Sequence, residues 1–434
     1  MAASVLPHLV SVAATGVQPC GPRRFAVLGA GFAGVSVAWH LLQRTSSSAP
    51  VCVELFDDAG VGGGASGASG GLLHPYNPKG KLLWKGAEGW TAALKLLSIA
   101  EAASTNGLTV DGLSSVAAPL AWRRGILRLA KQQKHAVTFQ KNVNSVENDK
   151  SKVACLGAPA ARELVPGLEL PLDGLALYIP EAINIHPQRY LEALWMACES
   201  FAKKSSTTGC PGTQALFRNN NVASLSDLKG SYEAVIVCMG AQAKLLPELV
   251  DKLPLTTCRG VVAQLHAPPG SRDEYASQAP NLLFGTWLAA QGGRNLLLGA
   301  TKDWGSLNGS PIVDEEEASS ALEKLLIETA PFFPSIVNWE VKGWQAGLRA
   351  MPPRTSLGSL PLAGCIDELV QSSHSKVYLG SSVQSSVSTA STKWWMFGGL
   401  GSRGLIHHAW LGELVAKAVI DCNESVLPQI LKQW

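Results

Sequence analysis

The spacing of apolar positions at the start of the chain predicts a strand, a helix and a second strand in succession. Residues 25–28 form a short apolar run, and residues 35–44 continue as a helical stretch. Val51, Val53 and Leu55 then recur at every second position, which is the period of a β-strand. Because a strand, a helix and a strand in this order form a βαβ unit, the chain is predicted to have an α/β fold.

Other runs extend the pattern toward the end of the chain. Residues 232–241 and 294–304 are strand-like, and each run contains a glycine at or near its end. Residues 314–329 are predicted as a helix whose first turn is acidic, where negative charge favours the helix dipole. Residues 394–420 predict a strand and a glycine loop that leads into a helix.

The turn between the first strand and the first helix has the spacing GxGxxG. Gly29 permits a tight turn, Gly31 lets the backbone approach a pyrophosphate, and Gly34 lets the helix pack close to the sheet. The helix N-terminus adds unpaired N–H donors and the positive end of its dipole. The predicted dinucleotide contacts of this turn are Gly29, Gly31, Phe32, Ala33 and Gly34.

Two acidic residues of the second strand are candidates to bind a ribose. Glu54 lies within the strand, on the opposite face from Val53 and Leu55, whereas Asp57 lies at the strand end, where a ribose is expected. Asp57 is farther from the glycines than the usual distance of about 20 residues, which the polar insert 45–49 explains. We therefore predict Asp57 as the ribose ligand.

A second glycine-rich segment, residues 60–75, follows this acid. It offers many backbone N–H groups and little side-chain bulk, and it leads directly into Leu72 without further polar residues in between. A second cofactor loop is therefore a better interpretation than a flexible linker. The predicted contacts are Ser66, Gly67, Ala68, Ser69, Gly70, Gly71 and Leu72, with Gly240 at the end of the later strand.

Length and composition narrow the class of protein. A chain of 434 residues, 46% of them hydrophobic, is long enough for two domains, and its net charge of +3 gives only a weak overall field. The 9 cysteines form no CxxC pair and no metal-ligand spacing, so they are predicted to be free, buried thiols in a reducing compartment. No metal is expected, and no apolar run is long enough to span a membrane, so a soluble protein is expected.

The first residues have a composition of their own. No acidic residue precedes Glu54, and residues 1–22 are small, apolar or hydroxylated, with Arg23 and Arg24 after them. An organelle transit peptide, with a plastid favoured over a mitochondrion, and an unprocessed leader of a cytoplasmic protein both fit this composition.

Together these motifs resemble the D-amino-acid oxidase family of flavoproteins, which includes glycine oxidase and sarcosine oxidase. The resemblance runs from about residue 24 to residue 420. Its segments are the βαβ unit and residues 63–75, 186–194, 235–241, 258–265, 298–301, 347–364 and 399–405. Within the family, ASGASGG…LHP and GSRGL are similar to the FAD domain of the bacterial bifunctional enzyme that matures the tRNA wobble uridine. The methyltransferase half of that enzyme is not represented here, and Ala409 and the pair His407-His408 depart from its pattern.

The resemblance implies a Rossmann-like FAD-binding domain of the glutathione-reductase type and a substrate domain built on a mixed β-sheet. Residues 23–87, 182–256 and 346–434 would form the first, and residues 88–181 and 257–345 the second. The implied chemistry is transfer of a hydride to flavin N5 from the carbon beside an amine, which leaves an imine that water hydrolyses. FAD is expected to be noncovalent, because no cysteine falls within 347–362 or 399–407.

The resemblance also assigns residues to the substrate. Arg349 stands where related oxidases place the arginine that holds a substrate carboxylate, and Arg403 would lie near the flavin and the substrate. A planar guanidinium suits this task because it forms a bidentate pair and keeps its charge. Arg354 is a further candidate, and an ordinary ion pair is the alternative for each arginine.

The loop that opens the last helix would place backbone N–H groups and a positive dipole end at the flavin pyrimidine, stabilising the anionic reduced flavin. Its predicted contacts are Gly399, Gly401, Ser402, Gly404 and Leu405. The histidines receive no catalytic role: His74 is interpreted as a packed side chain or a pocket residue, and His407 and His408 as one face of an amphipathic helix.

Three functions remain as hypotheses. The first is oxidation of a carboxylate-bearing amine, either a free amino acid or the carboxymethylaminomethyl group of tRNA. A non-catalytic flavin-containing assembly factor is the second. An NAD(P)-linked dehydrogenase is the third and is disfavoured, because two of the glycine loops would lack a purpose.

A basic segment could contact RNA phosphates. Residues 121–135 are predicted as a basic helix with Arg124, Arg128 and Lys131 on one face, and Lys79, Lys81 and Lys85 precede it. A solvated helix face is the favoured interpretation of this segment.

Overall fold

The computed structural model of the protein describes residues 22–45, 50–106, 119–143, 153–171, 174–205, 212–268, 275–292, 294–374 and 391–434. All but the last residue of the predicted leader lies outside these residues, and so do Cys20 and Cys210.

Helices and strands alternate through most of the described chain. The helices are α1 (Phe32–Thr45), α2 (Gly86–Asn106), α3 (Gln133–Val143), α4 (Ala158–Leu164), α5 (Pro187–Ser205), α6 (Glu315–Thr329), α7 (Asp367–His374) and α8 (Gly404–Ile420). The strands are β1 (Arg23–Leu28), β2 (Val51–Phe56), β3 (Leu72–Leu73), β4 (Ala121–Trp122), β5 (Ile126–Leu129), β6 (Ala154–Gly157), β7 (Leu175–Ile179), β8 (Ile183–Ile185), β9 (Gln214–Arg218), β10 (Ala234–Val237), β11 (Thr256–His266), β12 (Asn281–Leu283), β13 (Trp287–Ala290), β14 (Asn295–Gly299), β15 (Asp303–Trp304), β16 (Glu340–Met351), β17 (Arg354–Thr355), β18 (Gly358–Ser359), β19 (Leu362–Cys365) and β20 (Lys393–Gly398).

The first sheet has six strands in the order β19-β20-β10-β1-β2-β9. All of them run parallel except β19, which is antiparallel to β20. Helices α1, α2, α5 and α8 cover one face with a large apolar core, and residues 222–255 pack on the other face. Because parallel strands end at the same edge, the loops after β1, β10 and β20 are brought together, which is where open α/β sheets bind their ligands.

The second sheet is mixed and has nine strands. Its order is β15-β11-β14-β13-β12-β5-β7-β6, with β16 also paired to β11. Most neighbours are antiparallel, but β12 and β5 run parallel. Helix α6 packs on one face, near Val261. The opposite face carries Val262, Trp287 and Leu297, which pack with Leu72 of β3; we call it the inner face. A parallel sheet with helices beside a mixed sheet is the α/β architecture that the sequence predicts.

The glycine-rich segment 60–72 lies against the inner face of the second sheet. A Cβ atom added to Gly347 of β16 would lie 2.6 Å from Ala65 Cα, and one added to Gly70 would lie 2.7 Å from the ring of Trp287. Such short approaches leave no room for side chains, so glycine is required at both contacts. The segment is therefore held between the first sheet, from which it emerges, and the second.

Most of the predicted elements are present. The run 232–241 contains β10, the segment 394–420 contains β20 and α8, and the helix predicted over 314–329 is α6. Asp314 caps α6 by accepting a hydrogen bond of 2.8 Å from the Glu317 N–H. The run 294–304 forms two strands instead of one. β14 and β15 both pair with β11 as strands, but the residues between them do not.

The predicted basic helix over residues 121–135 is wrong. The segment forms β4 and β5, and only its end enters α3. Gly125, with a φ of +77°, turns the chain between the two strands. Leu127 and Leu129 then pack on one side of the sheet, which leaves Arg128 on the other. The side chains thus alternate with a period of two, not 3.6.

All seven cysteines of the described residues are free thiols. Cys52, Cys198, Cys238 and Cys258 are buried, while Cys155 and Cys365 are half-buried. The expectation of buried thiols is wrong for Cys422, which follows α8 and is exposed.

In the part of the chain that the structure describes, no helix is both long and apolar enough to cross a bilayer. The same residues contain no cluster of three or more metal-ligating side chains.

Candidate cofactor and substrate site

The turn between β1 and α1 can be built only from glycine at two positions. Gly29 has a φ of +100°, and a Cβ atom there would lie 2.5 Å from the Cys238 carbonyl oxygen. A Cβ atom on Gly34 would lie 1.8 Å from the Gly29 carbonyl oxygen. The start of α1 therefore approaches the end of β1 closely, and the first-turn N–H groups of α1, near Phe32 and Ala33, lie at the edge of the sheet.

The two acidic candidates of β2 have different surroundings. Asp57 accepts hydrogen bonds from the Ala30 N–H at 2.7 Å and the Ala59 N–H at 2.9 Å. Burial raises the pKa of Asp57, and these two donors oppose the shift. Glu54 is instead bound by Arg24 at 2.6 Å and Arg218 at 2.8 Å. Asp57 therefore lies at the glycine turn, while Glu54 belongs to an ion-pair cluster.

The second glycine loop packs onto the first turn. The Phe32 N–H donates to Ser66 Oγ at 3.1 Å, and the Gly62 N–H donates to the Ala30 carbonyl at 3.0 Å. A Cβ atom on Gly31 would lie 2.7 Å from Ser66 Oγ. Ser66 thus occupies the position at which an anionic oxygen could accept from the same helix N-terminus.

The rest of this loop is held by its neighbours. Ser69 Oγ donates to the Ser66 carbonyl at 2.8 Å, which closes a turn around Gly67 and Ala68. Gly71 has a φ of +71°, and a Cβ atom there would lie 1.8 Å from the Ile185 carbonyl oxygen. Leu72 then enters β3, which pairs with β8. These contacts fix the loop's backbone beside the first turn.

Two more glycine turns reach the same edge of the first sheet. Gly240, with a φ of +55°, begins a short 3₁₀ helix after β10. Gly399 and Gly401, with φ of +62° and +54°, form the turn between β20 and α8. The Gly401 N–H donates to the Ala350 carbonyl at 3.0 Å. Ser402 is exposed and Leu405 is buried.

Helix α8 begins against the first turn. A Cβ atom on Gly404 would lie 2.8 Å from the Phe32 ring, and one on Gly412 would lie 2.2 Å from Ser36 Oγ. The N-termini of α1 and α8 therefore lie side by side. The four predicted glycine segments converge at one edge of the sheet, and their positive-φ turns form a cradle of backbone suited to a long dinucleotide.

Arg349 lies on β16, two residues beyond the contact of Gly347 with Ala65. Its Nη2 donates to the Thr301 carbonyl at 3.0 Å and its Nε to the Cys258 carbonyl at 3.3 Å. No acidic side chain pairs with Arg349 among the described residues. Its charge is therefore positioned by neutral groups and not neutralised.

Arg403 precedes the first residue of α8 as its N-cap. It is half-buried, and burial lowers its pKa. It also has no ion-pair partner in the described ranges. Arg354, by contrast, is exposed in the β17–β18 hairpin and is not brought to this edge.

The interpretation of His407 and His408 as the polar face of an amphipathic helix is wrong, since each is only 1% exposed. Helix α8 is buried among α1, α2 and α5, so no side of its first turns faces solvent. His408 Nε2 lies 2.7 Å from the Tyr190 hydroxyl of α5. Burial lowers the pKa of both histidines to about 4.

His74 and Arg128 also lie near this site. His74 follows β3, and its Nδ1 accepts from the Tyr76 N–H at 3.3 Å. Burial, and then the charges of Arg128 and Arg403, lower the pKa of His74 to about 3. Arg128 is predicted from the sequence to lie on a helix surface, but the structure places it here. Gly125 and the alternating leucines after it are the sequence signals that could have placed it correctly.

Comparisons with known proteins agree with this geometry. The model of the family "DAO: FAD dependent oxidoreductase" matches residues 24–418. The tRNA 5-methylaminomethyl-2-thiouridine biosynthesis bifunctional protein MnmC of Pseudomonas putida F1 is 28% identical over 431 residues, which is 95% of this chain. The chain spans only 59% of the length of that relative.

Solved structures share the fold. Iminodiacetate oxidase from Chelativorans sp. BNC1 aligns with a TM-score of 0.64 at 19% identity, over 93% of this chain and 97% of that chain. Glycine oxidase from Geobacillus kaustophilus aligns with a TM-score of 0.64 at 18% identity, over 95% and 99%. With its glycine cradle and a family match over nearly the whole chain, this protein belongs to the DAO family of FAD-dependent oxidoreductases.

Proposed function

We propose that the protein oxidises a C–N bond of an amine that carries a carboxylate, with FAD held noncovalently. The observation that carries the proposal is Arg349. Its guanidinium is fixed by two backbone carbonyls, has no acidic partner among the described residues, and lies on the strand that touches the second glycine loop. A fixed, unneutralised guanidinium suits a carboxylate, which it binds with two parallel hydrogen bonds.

The glycine cradle supports the cofactor part of the proposal. The N–H groups at the start of α1 would face the pyrophosphate and Asp57 the ribose, while the turn before α8 would face the flavin. Bound FAD supplies the acceptor for a hydride from the carbon beside the substrate amine. Arg403 and the N-terminus of α8 place positive potential at this end of the cradle, which stabilises negative charge there.

Arg349 sets the orientation of the substrate. A carboxylate bound to its guanidinium leaves the neighbouring carbon, and the amine on it, at a fixed distance from the sheet. Holding the reacting carbon in one position reduces the entropy that the reaction must lose to reach its transition state. The second sheet packs against the glycine loop at Ala65 and Gly70, and a substrate enclosed between them would make stronger electrostatic contacts than in water.

Two substrate classes fit this chemistry, a free amino acid and the carboxymethylaminomethyl group of a tRNA uridine. One relative is named for the biosynthesis of a modified tRNA uridine, and one structural neighbour is a glycine oxidase. Residues 121–135 contain two short strands and only the start of a helix, which removes the main reason to expect binding of RNA there. Lys131 pairs with Glu328 at 3.0 Å and Lys85 with Glu88 at 2.7 Å. A free amine substrate is therefore the first choice.

The experiment is anaerobic mixing of the FAD-bound protein with glycine, N-alkyl glycines and D-amino acids, while the visible absorbance of the flavin is followed. Bleaching by at least one carboxylate-bearing amine is expected. Arg349→Met is expected to lower kcat/KM for that substrate about 10- to 100-fold, the loss of one charge-assisted pair. Arg354→Met, at the exposed arginine five residues later, is the matched control.

Each outcome discriminates between hypotheses. If no amine of the panel bleaches the flavin and total tRNA does not bind at low salt, the non-catalytic assembly factor becomes the better proposal. If Arg354→Met reduces activity and Arg349→Met does not, the carboxylate has been assigned to the wrong arginine. For the tRNA substrate, filter binding of total tRNA should weaken steeply with salt. Absence of binding at low salt removes that substrate.

A further inference from the structure

Arg128 lies on the inner face of the second sheet, which is the face that meets the glycine loop. In β5 it pairs in register with Leu283 of β12 and Leu177 of β7. Both leucines belong to an apolar cluster against which Leu72 of β3 packs. The arginine therefore rises from an apolar surface directly beside the end of the loop, where the chain continues to His74.

No acidic group among the residues that the structure describes neutralises the guanidinium of Arg128. Its Nε is shielded from solvent and has no hydrogen-bond partner in the described part of the chain. No acidic side chain pairs with it there either. The Arg128 residue is half-buried, and its shielded Nε has lost its hydration without gaining an acceptor, which is unfavourable. An unpaired cation of this kind beside a candidate site points to a ligand that supplies the missing charge.

A second unneutralised arginine, Arg403, lies within electrostatic range of the first. Burial, and after it the charge of Arg403, lower the pKa of Arg128 to about 10. Helix α8, which Arg403 caps at its N-terminus, contacts β3, and Arg128 reaches the same region from the second sheet. His74, held neutral between them, adds no negative charge. The cluster of Arg128 and Arg403 is therefore expected to bind an anion.

The anion at this cluster is not the carboxylate at Arg349. In the second sheet β11, β14, β13 and β12 separate β16 from β5. Arg349 and Arg128 therefore reach the loop from different ends of the inner face. One carboxylate is too small to bridge two guanidinium groups on strands that are not neighbours, since adjacent strands alone are spaced about 4.8 Å apart.

We infer that Arg128 and Arg403 bind a second acidic group of the substrate, so that the substrate is an amine with one carboxylate at Arg349 and another anionic group on its other arm. The inference rests on the proposed function and adds the class of substrate to it. Because Arg349 and the Arg128–Arg403 cluster lie apart on the inner face, they favour a substrate whose two acidic groups are separated by a matching distance. A mono-acid of the same length would leave the second cluster without its anion, which costs binding energy.

The test compares substrates that differ only in the second acid. The FAD-bound protein is offered N-propylglycine and N-(2-carboxyethyl)glycine, and then the homologous pairs with one and two more methylene groups. We expect one di-acid to be preferred in kcat/KM by about 10- to 100-fold over its mono-acid partner, the range for a hydrogen-bonded charge pair. Arg128→Met is expected to lower that ratio by a similar factor.

The matched control is Arg123→Met, in the same segment. Arg123 is 55% exposed and binds Glu101 at 2.8 Å, so its replacement should leave the ratio at the parental value. A ratio near one in the parent, or an equal ratio in parent and Arg128→Met, overturns the inference. If Arg128→Met instead weakens FAD binding without moving the ratio, the arginine pair serves the cofactor and the inference is wrong.

A binding measurement separates this inference from the proposed function. Adipate and hexanoate, the carbon analogues of the first substrate pair, are not oxidised, and each can be titrated against the flavin absorbance of the FAD-bound protein, as can their longer homologues. Tighter binding of a di-acid than of the mono-acid of equal length, lost in Arg128→Met, supports the anion cluster even if no amine is oxidised. Oxidation of mono-acids with equal binding of the two ligands would retain the proposed function and reject the second acid.

Discussion

Arginine side chains in this protein differ in whether an acidic group faces them. Arg24 and Arg218 share Glu54, and Arg259 binds Glu317 at 2.6 Å. Arg128, Arg349 and Arg403 form no ion pair in the described residues. All three lie around the glycine loop, so three positive charges without an acidic partner lie where an acidic substrate is proposed to bind.

The two kinds of arginine predict opposite effects of the same substitution. The Arg259 side chain is 2% exposed and also donates to the carbonyls of Asn308, Ser310 and Ile312. Arg259→Met leaves these acceptors and Glu317 without their donor, and should lower the free energy of unfolding by about 3–5 kcal/mol. Arg128→Met removes an unpaired cation and should raise it by on the order of 1 kcal/mol.

Urea denaturation with saturating FAD measures both effects, and the parent protein provides the reference. The decisive result is the sign of the change in the free energy of unfolding of Arg128→Met. A large loss of stability in that variant would mean that an acidic partner neutralises the guanidinium in the folded protein.

At the scale of elements, the sequence predicted best where a local pattern and a glycine requirement coincide. The βαβ unit has both, because a strand-like and a helix-like hydrophobic pattern flank the glycines of the turn, and the tight turn requires those glycines. Helix α6 was equally predictable from its cap and acidic first turn. The segment 121–135 was not, since basic residues three to four apart fit a helix face, while Gly125 and the alternating leucines indicated strands. Which face of β5 is buried depends on strands far away in sequence.

The glycine turn allows an element-scale prediction in which sterics oppose helix propensity. Gly34 lies in α1, where alanine would normally be favoured by about 1 kcal/mol. A Cβ atom there overlaps the Gly29 carbonyl at 1.8 Å, so α1 must move away from β1. Gly34→Ala should therefore weaken FAD binding by at least about tenfold, which is 1.4 kcal/mol or more.

The control for this substitution is Gly64→Ala in the second loop. No atom lies within 4 Å of a Cβ at Gly64, and its backbone is not left-handed. Fluorescence titration of the apoprotein with FAD gives both dissociation constants. Equal affinities in the two variants would show that the first turn does not hold the cofactor.

At the scale of the whole molecule, several elements bury histidines together. His40 lies on α1, His74 follows β3, and His407 and His408 lie on α8. Packing among α1, α2, α5 and α8 encloses the last two. The sequence of α8 alone could not reveal this, because burial on all sides is a property of the assembled layers. Similarly, the site contains residues from both sheets. The sequence shows their motifs, but the distances between these residues depend on the assembled fold.

This burial predicts how stability depends on pH. Burial lowers the pKa of His40, His407 and His408 to about 4 and that of His74 to about 3, whereas an unfolded histidine has a pKa of about 6.5. Below pH 6.5 the unfolded chain therefore binds protons that the folded protein does not. The free energy of unfolding should fall as the pH decreases from 6.5 toward 4, by about 1.4 kcal/mol per pH unit for each histidine.

Urea denaturation at pH 7, 6 and 5 measures this slope above the range in which most carboxylates titrate. His408→Asn removes one titrating group but keeps a hydrogen-bonding side chain opposite Tyr190. Its slope should be shallower than that of the parent by about 1.4 kcal/mol per pH unit below pH 6.5. A parent whose stability is constant from pH 7 to 5 would mean that these imidazoles take up protons as readily in the folded protein as in the unfolded chain. Equal slopes in both proteins would mean that this holds for His408.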